Sequence, residues 1–180
     1  MQTKRLFVAI DLPESVRQVL VGLNPDLRGV RWLTPEQMHL TLSFLGNVEA
    51  SAEERLRDRL VAIRWSAFFL PIVGVGVFPS KGRPNIIWIG VGAGHPHLFQ
   101  LHKRIQDAAL AAGLEADLRP WHPHITLARC RDVSADSVRP FLKTHAEFDA
   151  GMIHVESFSL YSSRLTPAGS IYTPELLVRA

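Results

Sequence analysis

Cysteine is nearly absent from this 180-residue sequence, in which Cys130 is the only one. A single cysteine excludes a disulfide within the chain, and a reducing cytoplasm is the simplest location that follows. The sequence also lacks the cysteine clusters and the His-Glu-x-x-His pattern that mark common zinc sites. We therefore expect a cytoplasmic protein that is not stabilised by a disulfide.

Long apolar runs are missing as well. The run from Leu6 to Ile10 has five residues and is too short for the apolar core of a signal peptide, which needs about 7–15 residues. The longest stretch without a charged residue or histidine runs from Trp65 to Ser80, contains Pro71 and Gly74, and falls short of the ~20 apolar residues of a spanning helix. We expect neither export nor contact with a membrane.

Lysine is scarce, since it supplies four of the 20 basic residues and leaves sixteen arginines. The formal net charge is +3 and the pI is about 9.4, a balance that favours anionic partners such as RNA or nucleotides. Codon usage in a GC-rich genome explains the arginine bias equally well. With 47% hydrophobic and 21% charged residues, the chain is typical of a folded globular protein and not of a disordered one.

One short pattern occurs twice. Residues 39–42 read His-Leu-Thr-Leu, and residues 124–127, 85 positions later, read His-Ile-Thr-Leu. Each copy lies in an apolar run of alternating polarity, which predicts a β-strand. Side chains two residues apart share one face of a strand, so each histidine lies on the same face as its threonine. Two such strands can present two histidines to one site.

The segments around the two motifs also repeat in order. A loop at 81–85 separates approximate halves 1–83 and 84–180, which we interpret as one plan used twice within a single domain of residues 1–180. Asp11, a capping box at 51–54 and Ser134 are the predicted helix starts. Helices are predicted at about 11–23, 51–63, 95–112 and 134–143, and strands at 6–10, 30–32, 38–45, 68–78 (one or two), 86–91, 124–129, 152–161 and 172–178.

Two facing histidines suit phosphoryl transfer. The ordinary pKa of histidine, about 6.5, allows one copy to be neutral and the other protonated, so His39 and His124 can act together as base and acid. Thr41 and Thr126, on the same faces, can donate hydrogen bonds to the non-bridging phosphate oxygens. The fork of donors on Arg129 suits the same oxygens.

Arg129 poses a geometric problem, because strict alternation places it on the face opposite His124. A bulge, or an earlier end of the strand, would bring it to the histidine face. Phe44 occupies the matching position after His39, so it would follow Arg129 into the cleft and could stack on a nucleobase. The alternative for Phe44 is an apolar core position.

Other candidates receive weaker roles. His122 shares a face with His124, but Pro123 lies between them, and we interpret His122 as structural. His95, His97 and His102 with the pair at 122 and 124 could form a zinc site, an interpretation that the missing zinc motifs disfavour. We expect Trp32 and Trp121 to pack at the lobe edges, with stacking at the rim of the groove as the alternative. Residues 161–164, Tyr-Ser-Ser-Arg, either line the cleft or form a turn.

The chain resembles the 2H phosphoesterase superfamily, specifically the bacterial and archaeal RNA 2′,3′-cyclic phosphodiesterases of the LigT or ThpR type, also named 2′-5′ RNA ligases. The resemblance covers nearly the whole chain. The resemblance is carried by Arg-Leu-Phe-Val-Ala-Ile-Asp at 5–11, His-Leu-Thr-Leu-Ser-Phe-Leu-Gly at 39–46 and Trp-His-Pro-His-Ile-Thr-Leu-Ala-Arg at 121–129. The last two blocks are specific to the family, and the chain shows no departure from its motif pattern.

The resemblance implies a bilobal, duplicated α+β fold in which two antiparallel-type sheets line a central groove and helices lie outside. It also implies metal-independent opening of RNA 2′,3′-cyclic phosphate ends without a cofactor, to a 2′-phosphate, with His124 as base and His39 as acid. The expected partner is an RNA or oligonucleotide end, and we expect a monomer. Ligation of 2′-5′ RNA ends in the same site, a metal-dependent hydrolase and a non-catalytic RNA-binding module are the alternatives.

Overall fold

The structure is a computed structural model and describes residues 3–115 and 117–180. Within these residues it contains four α-helices and ten strands, besides a 3₁₀ turn at Pro35–Gln37. The helices are α1 (Glu14–Val21), α2 (Ala50–Val61), α3 (Pro96–Ala111) and α4 (Ala135–His145). The strands are β1 (Thr3–Asp11), β2 (Val30–Trp32), β3 (His39–Glu49), β4 (Phe68–Val73), β5 (Val75–Phe78), β6 (Ile86–Gly90), β7 (His124–Cys130), β8 (Asp149–Val155), β9 (Ser157–Thr166) and β10 (Gly169–Arg179).

The predicted α+β fold with antiparallel sheets is confirmed. Eight strands pair in the order β10-β9-β1-β3-β7-β6-β5, with β2 also paired to β7, and β4 pairs with β8 in a separate two-stranded sheet. The eight strands fall into a terminal half-sheet, β10-β9-β1-β3, and a middle half-sheet, β2 with β7-β6-β5. β3 and β7 join them through one antiparallel residue pair, Leu40 opposite Ile125.

Each half-sheet takes strands from both halves of the sequence. β1 and β3 pair with each other, but the next strand on the other side of β1 is β9, from the second half. In the same way β6 pairs with β7 and, on its other side, with β5 from the first half. This exchange binds the two halves of the sequence into one body, because neither half-sheet is complete without the other half of the chain.

Both motif strands turn an apolar row toward one hydrophobic core. Leu40, Leu42, Ile125 and Leu127 are fully buried and belong to the same cluster as apolar residues of all four helices. α2 and α3 pack against each other and against β3, and α4 packs against β5. Because the apolar rows of the motif strands face this core, the histidines and threonines between them face the opposite side.

Two predicted helix starts are wrong, and one is confirmed. Asp11 is the last residue of β1 instead of an N-cap, because its carboxylate accepts hydrogen bonds from Ser159 and Tyr161 of β9. Helix α1 begins at Glu14, after Pro13. Ser51 lies inside α2, which begins at Ala50 with Glu49 as its N-cap, so Ser51 and Glu54 do not form the predicted capping box. Ser134 caps α4 as predicted, since its Oγ accepts a hydrogen bond from the amide of Ser137.

The predicted strand at 152–161 is two strands in different sheets. β8 pairs with β4, and after Glu156 the chain continues as β9 in the large sheet. The apolar pattern alone does not mark this change of sheet, because both strands have buried residues on one face. In the described part of the chain, no helix combines the length and the apolar character that crossing a membrane requires.

Candidate active site

A groove of about 1040 Å³ opens on the polar side of the two motif strands. It receives residues from both half-sheets, from the segment before β7 and from the hairpin between β9 and β10. All six side chains predicted to form the site line it, namely His39, Thr41, Phe44, His124, Thr126 and Arg129. The structure therefore brings the whole predicted set to one cavity.

The pairing of β3 with β7 sets the central geometry. With Leu40 opposite Ile125, the antiparallel register places Thr41 opposite His124 and His39 opposite Thr126. Each histidine thus faces the threonine of the other motif, and all four side chains lie on the groove side. An anion in this position meets two imidazoles and two hydroxyl donors.

A β-bulge occurs at the same place in both motif strands and resolves the position of Arg129. Ser43 and Thr41 pair with the consecutive residues Val8 and Ala9, which leaves Leu42 as the extra residue. In β7 the pairing skips Leu127 in the same way. The extra residue shifts the alternation by one, so that the next outward side chain returns to the histidine face.

The bulges bring Phe44 and Arg129 into the groove, at matching positions. The Phe44 side chain is 60% exposed, so the apolar-core alternative is wrong. Because β3 and β7 run antiparallel, Phe44 and Arg129 lie toward opposite ends of the groove, on either side of the histidines. One end of the groove thus offers an aromatic face and the other a guanidinium.

The imidazole of His124 is oriented by the backbone. Its Nδ1 lies 2.6 Å from the carbonyl oxygen of His122, and a carbonyl can only accept, so Nδ1 carries the proton and donates it. This bond leaves Nε2 for a substrate. The ring also meets Phe78 edge-on, with a centroid distance of 5.0 Å. His122 therefore contributes its carbonyl, in agreement with the structural role expected for it.

His39 sits in an aromatic cage. Its ring stacks on Phe7 at 4.9 Å between centroids and meets Tyr172 edge-on at 5.1 Å. Burial lowers the pKa of His39 to about 4, whereas the carboxylate of Asp11 and a backbone hydrogen bond with Gln37 act in the opposite direction. Burial also lowers the pKa of His124, against the effect of the His122 carbonyl. Both histidines are therefore neutral in the empty groove at pH 7.

Asp11 lies behind His39, outside the groove lining, and the sequence analysis missed this position. It is the cross-strand partner of His39, and its carboxylate accepts hydrogen bonds from Tyr161 Oη at 2.5 Å and Ser159 Oγ at 3.2 Å, with Arg17 3.7 Å away. Burial, followed by this carboxylate, raises the pKa of the Tyr161 hydroxyl, which keeps its proton as a donor. No short sequence motif predicts this group of hydrogen-bonded side chains, because they come from β1, β9 and α1.

The aromatic residues of the groove have mixed roles. Trp121 lines the groove, stacks on His102 at 3.9 Å between ring centroids and donates its Nε1–H to the carbonyl of Thr41 at 3.3 Å. Trp32 packs instead against Phe141 at the lobe edge, as predicted. Residues 161–164 lie within β9, and Ser163 lines the groove, so the turn alternative is wrong.

The histidines considered for zinc are engaged in other contacts. His95 caps α3 and stacks on Phe68, while His102 binds the carbonyl of Leu42 and stacks on Trp121. Among residues 3–115 and 117–180, no group of three or more His, Cys, Asp or Glu side chains is arranged to hold a metal ion.

Three further arginines line the groove and were not singled out from the sequence: Arg5, Arg31 and Arg119. Arg119 is paired with Asp117 at 2.7 Å. Arg31 lies on β2 directly opposite Arg129. The groove is therefore positively charged at the end that holds Arg129.

Comparisons with known proteins agree with this geometry. The LigT like Phosphoesterase family model matches the chain twice, over residues 10–88 and 89–172, which confirms the internal repetition. The RNA 2′,3′-cyclic phosphodiesterase of Archaeoglobus fulgidus is 32% identical over 171 residues, which cover 93% of this chain and 96% of that protein. The protein of the same name from Escherichia coli K12 is 32% identical over 178 residues, which cover 96% and 94% of the two chains.

Solved structures show the same similarity. The crystal structure of Escherichia coli LigT in apo form has a TM-score of 0.83 at 29% identity, and that of its complex with 3′-AMP has a TM-score of 0.81 at 29% identity. Each comparison covers 99% of this chain and 98% of the other. The similarity therefore extends over both half-sheets and the groove between them.

Proposed function

The chain belongs to the LigT-like phosphoesterase family, and from this premise we propose that it is an RNA 2′,3′-cyclic phosphodiesterase. The relatives in Archaeoglobus fulgidus and Escherichia coli carry that name, and Escherichia coli LigT has been crystallised with 3′-AMP. The observation that carries the proposal is the central quartet, His39, Thr41, His124 and Thr126, on one face of two paired strands. Two proton-transfer groups and two hydroxyl donors on one face are the groups that hydrolysis of a cyclic phosphate requires.

The reaction that we propose is hydrolysis of the terminal cyclic phosphate. His124 Nε2 takes a proton from a water molecule, whose oxygen forms a new bond to phosphorus. The bond from phosphorus to O3′ breaks, and His39 donates a proton to that departing oxygen. The product is a 2′-phosphate with a free 3′-hydroxyl. Each proton transfer contributes roughly 10²–10⁴ in rate.

The threonines and Arg129 stabilise the charge on phosphorus. Thr41 lies opposite His124 and Thr126 opposite His39, so each hydroxyl is next to a proton-transfer step and can donate to a non-bridging oxygen. Arg129 comes onto the same face through the bulge at Leu127, and its guanidinium can hold two oxygens at once. The histidines supply the acid and base, so the proposed reaction requires no metal ion and no cofactor.

The order of roles is taken from the family resemblance, because burial lowers the pKa of both rings in the empty groove. An acid must be protonated at the start, and the Asp11 carboxylate acts to raise the pKa of His39, as the His122 carbonyl does for His124. The pKa of His39, about 4 in the empty groove, is too low for an acid at pH 7. An anionic phosphate bound beside it raises that pKa further, because an opposite charge favours the protonated ring.

Phe44 is the proposed stacking surface for a nucleobase. Its exposed ring lies at the groove end away from Arg129, and an exposed aromatic side chain that is not needed in the core favours a planar partner. The quartet, Phe44 and Arg129 all come from one chain, which supports a monomer as the active form.

The test is to incubate the pure protein with an oligonucleotide ending in 2′,3′-cyclic phosphate, with and without EDTA. We expect hydrolysis at equal rates in both, with a 2′-phosphate product identified by phosphorus NMR. A predominantly 3′-phosphate product would overturn the assigned orientation of the substrate. Loss of activity in EDTA that zinc restores would overturn the metal-independent mechanism.

A further inference from the structure

Two arginines face each other across neighbouring strands at one end of the groove. Arg31 of β2 and Arg129 of β7 are direct antiparallel partners, and both side chains are exposed and line the groove. Like charges in directly opposite positions destabilise a sheet. Neither arginine forms an ion pair within residues 3–115 and 117–180, so no carboxylate of the described chain offsets this repulsion. Such a pair is well suited to bind an anion.

The two guanidinium groups are held differently. Arg31 Nη1 lies 3.5 Å from the carbonyl of Ala168 at the tip of the β9–β10 hairpin, and a side chain at Gly169 would come within 3.2 Å of the same nitrogen. The hairpin therefore keeps Arg31 at the end of the groove. Arg129 forms no side-chain hydrogen bond among the described residues and is free to turn toward the histidines.

The restraint from the hairpin separates Arg31 from the reacting phosphate. Arg31 and Arg129 are direct partners and so lie at the same level, four residues along β7 from Ile125, or roughly 13 Å at about 3.3 Å per residue. The guanidinium of Arg129 can turn back along the groove toward the histidines, whereas that of Arg31 is held at the carbonyl of Ala168. An anion on Arg31 is therefore a second one, such as the next phosphate of a nucleic-acid strand.

We propose that Arg31 binds the phosphodiester that links the terminal nucleotide to the rest of the RNA strand, so that the groove prefers oligonucleotide ends to cyclic mononucleotides. The inference rests on the proposed function and adds to it a residue that distinguishes an oligonucleotide end from a cyclic mononucleotide. Arg129 serves the reacting phosphate and Arg31 the preceding one, which explains why two like charges are kept side by side.

The test compares Arg31→Gln with wild type on two substrates, adenosine 2′,3′-cyclic phosphate and a short oligonucleotide with the same end. We expect kcat/KM for the oligonucleotide to fall about tenfold, as for the loss of one charge-assisted hydrogen-bond pair, and kcat/KM for the mononucleotide to stay unchanged. Arg28→Gln is the matched control, because Arg28 is exposed, lies three residues earlier and is not a groove residue.

A binding measurement keeps the inference separate from the chemistry. Fluorescence anisotropy with an oligonucleotide ending in 3′-phosphate should show about tenfold weaker binding for Arg31→Gln, with a smaller salt dependence, the slope against log[salt] falling by about 0.7 for one lost contact. These results would support Arg31 as a phosphate contact even if the enzyme opened neither substrate, in which case the proposed function alone would fail.

Two outcomes would overturn the inference. An equal loss of kcat/KM on both substrates would place Arg31 at the reacting phosphate or in the fold. Unchanged oligonucleotide turnover and binding would show that Arg31 does not contact the strand.

Discussion

β3 and β7 have the same local structure and different surroundings. In both, a histidine and a threonine precede a bulge, and the strands have the same sequence of partly buried, buried and exposed positions from the histidine through the sixth residue. After the bulge, however, β3 presents Phe44 and β7 presents Arg129. The repeated motif therefore gives two strands of equivalent local geometry. The residues that follow the bulges, Phe44 and Arg129, make the two ends of the groove chemically different.

The neighbours of the histidines differ as well. His39 lies beside the carboxylate of Asp11, which is itself held by Tyr161, whereas His124 is surrounded by Phe78 and Trp88 and is fixed by a backbone carbonyl. A symmetric pair of histidines cannot be acid and base at once without some such difference. The comparison predicts that changes on the two sides affect different steps.

The largest expected effect comes from removing either histidine. His39→Ala and His124→Ala should each lower kcat by ~10² or more. The kcat of the double variant should be close to that of the less active single variant, because both groups act in one step. Steady-state kinetics on a cyclic-phosphate substrate measures this, with thermal unfolding as a check on the fold. His154→Ala, at an exposed histidine outside the groove, is the control. Near-wild-type turnover in either groove variant would contradict the two-histidine mechanism.

Replacing Arg129 by Lys tests the β7 side. Lysine keeps the charge but lacks the planar pair of donors, so we expect kcat/KM to fall about tenfold. The loss should be the same for a cyclic mononucleotide and an oligonucleotide, since the proposed contact is with the reacting phosphate. An unchanged kcat/KM on both substrates would place Arg129 outside the reaction.

Replacing Phe44 by Ala tests the corresponding position of β3. Stacking of a base on an aromatic ring contributes ~1–3 kcal/mol, so KM should rise at least about fivefold while kcat changes little. Phe44→Tyr keeps an aromatic face and should retain the wild-type KM. A fall in kcat at constant KM would argue against a role in base stacking.

The smallest expected effect is a shift in pH dependence caused by Asp11→Asn. The Asp11 carboxylate raises the pKa of His39, so its removal should lower the pKa of that histidine further. If His39 is the acid in the substrate complex, it then loses its proton at lower pH, and the alkaline limb of the kcat profile should move down by about one pH unit or less. Tyr161→Phe, which keeps the Asp11 carboxylate, should shift the alkaline limb of the profile less. A shift confined to the acid limb would reverse the roles of the two histidines.

The sequence by itself determined the proposed catalytic side chains and most of the elements that carry them. A period of two in an apolar run fixes which residues share a face, so His39 with Thr41 and His124 with Thr126 could be assigned before any coordinates. The repeated motif also predicted two related halves, which the double family match confirmed. These features are local or repeated, and such features can be recognised in a single chain.

Tertiary structure decided what depends on partners distant in the sequence. Alternation alone placed Arg129 on the wrong face, because a bulge at Leu127 is defined only by its pairing with β6. The role of Asp11 depends on β9, about 150 residues later, and the pairing of Arg31 with Arg129 depends on β2 joining β7. Strand partners are chosen by burial summed over the whole core, a quantity that no short segment of sequence contains.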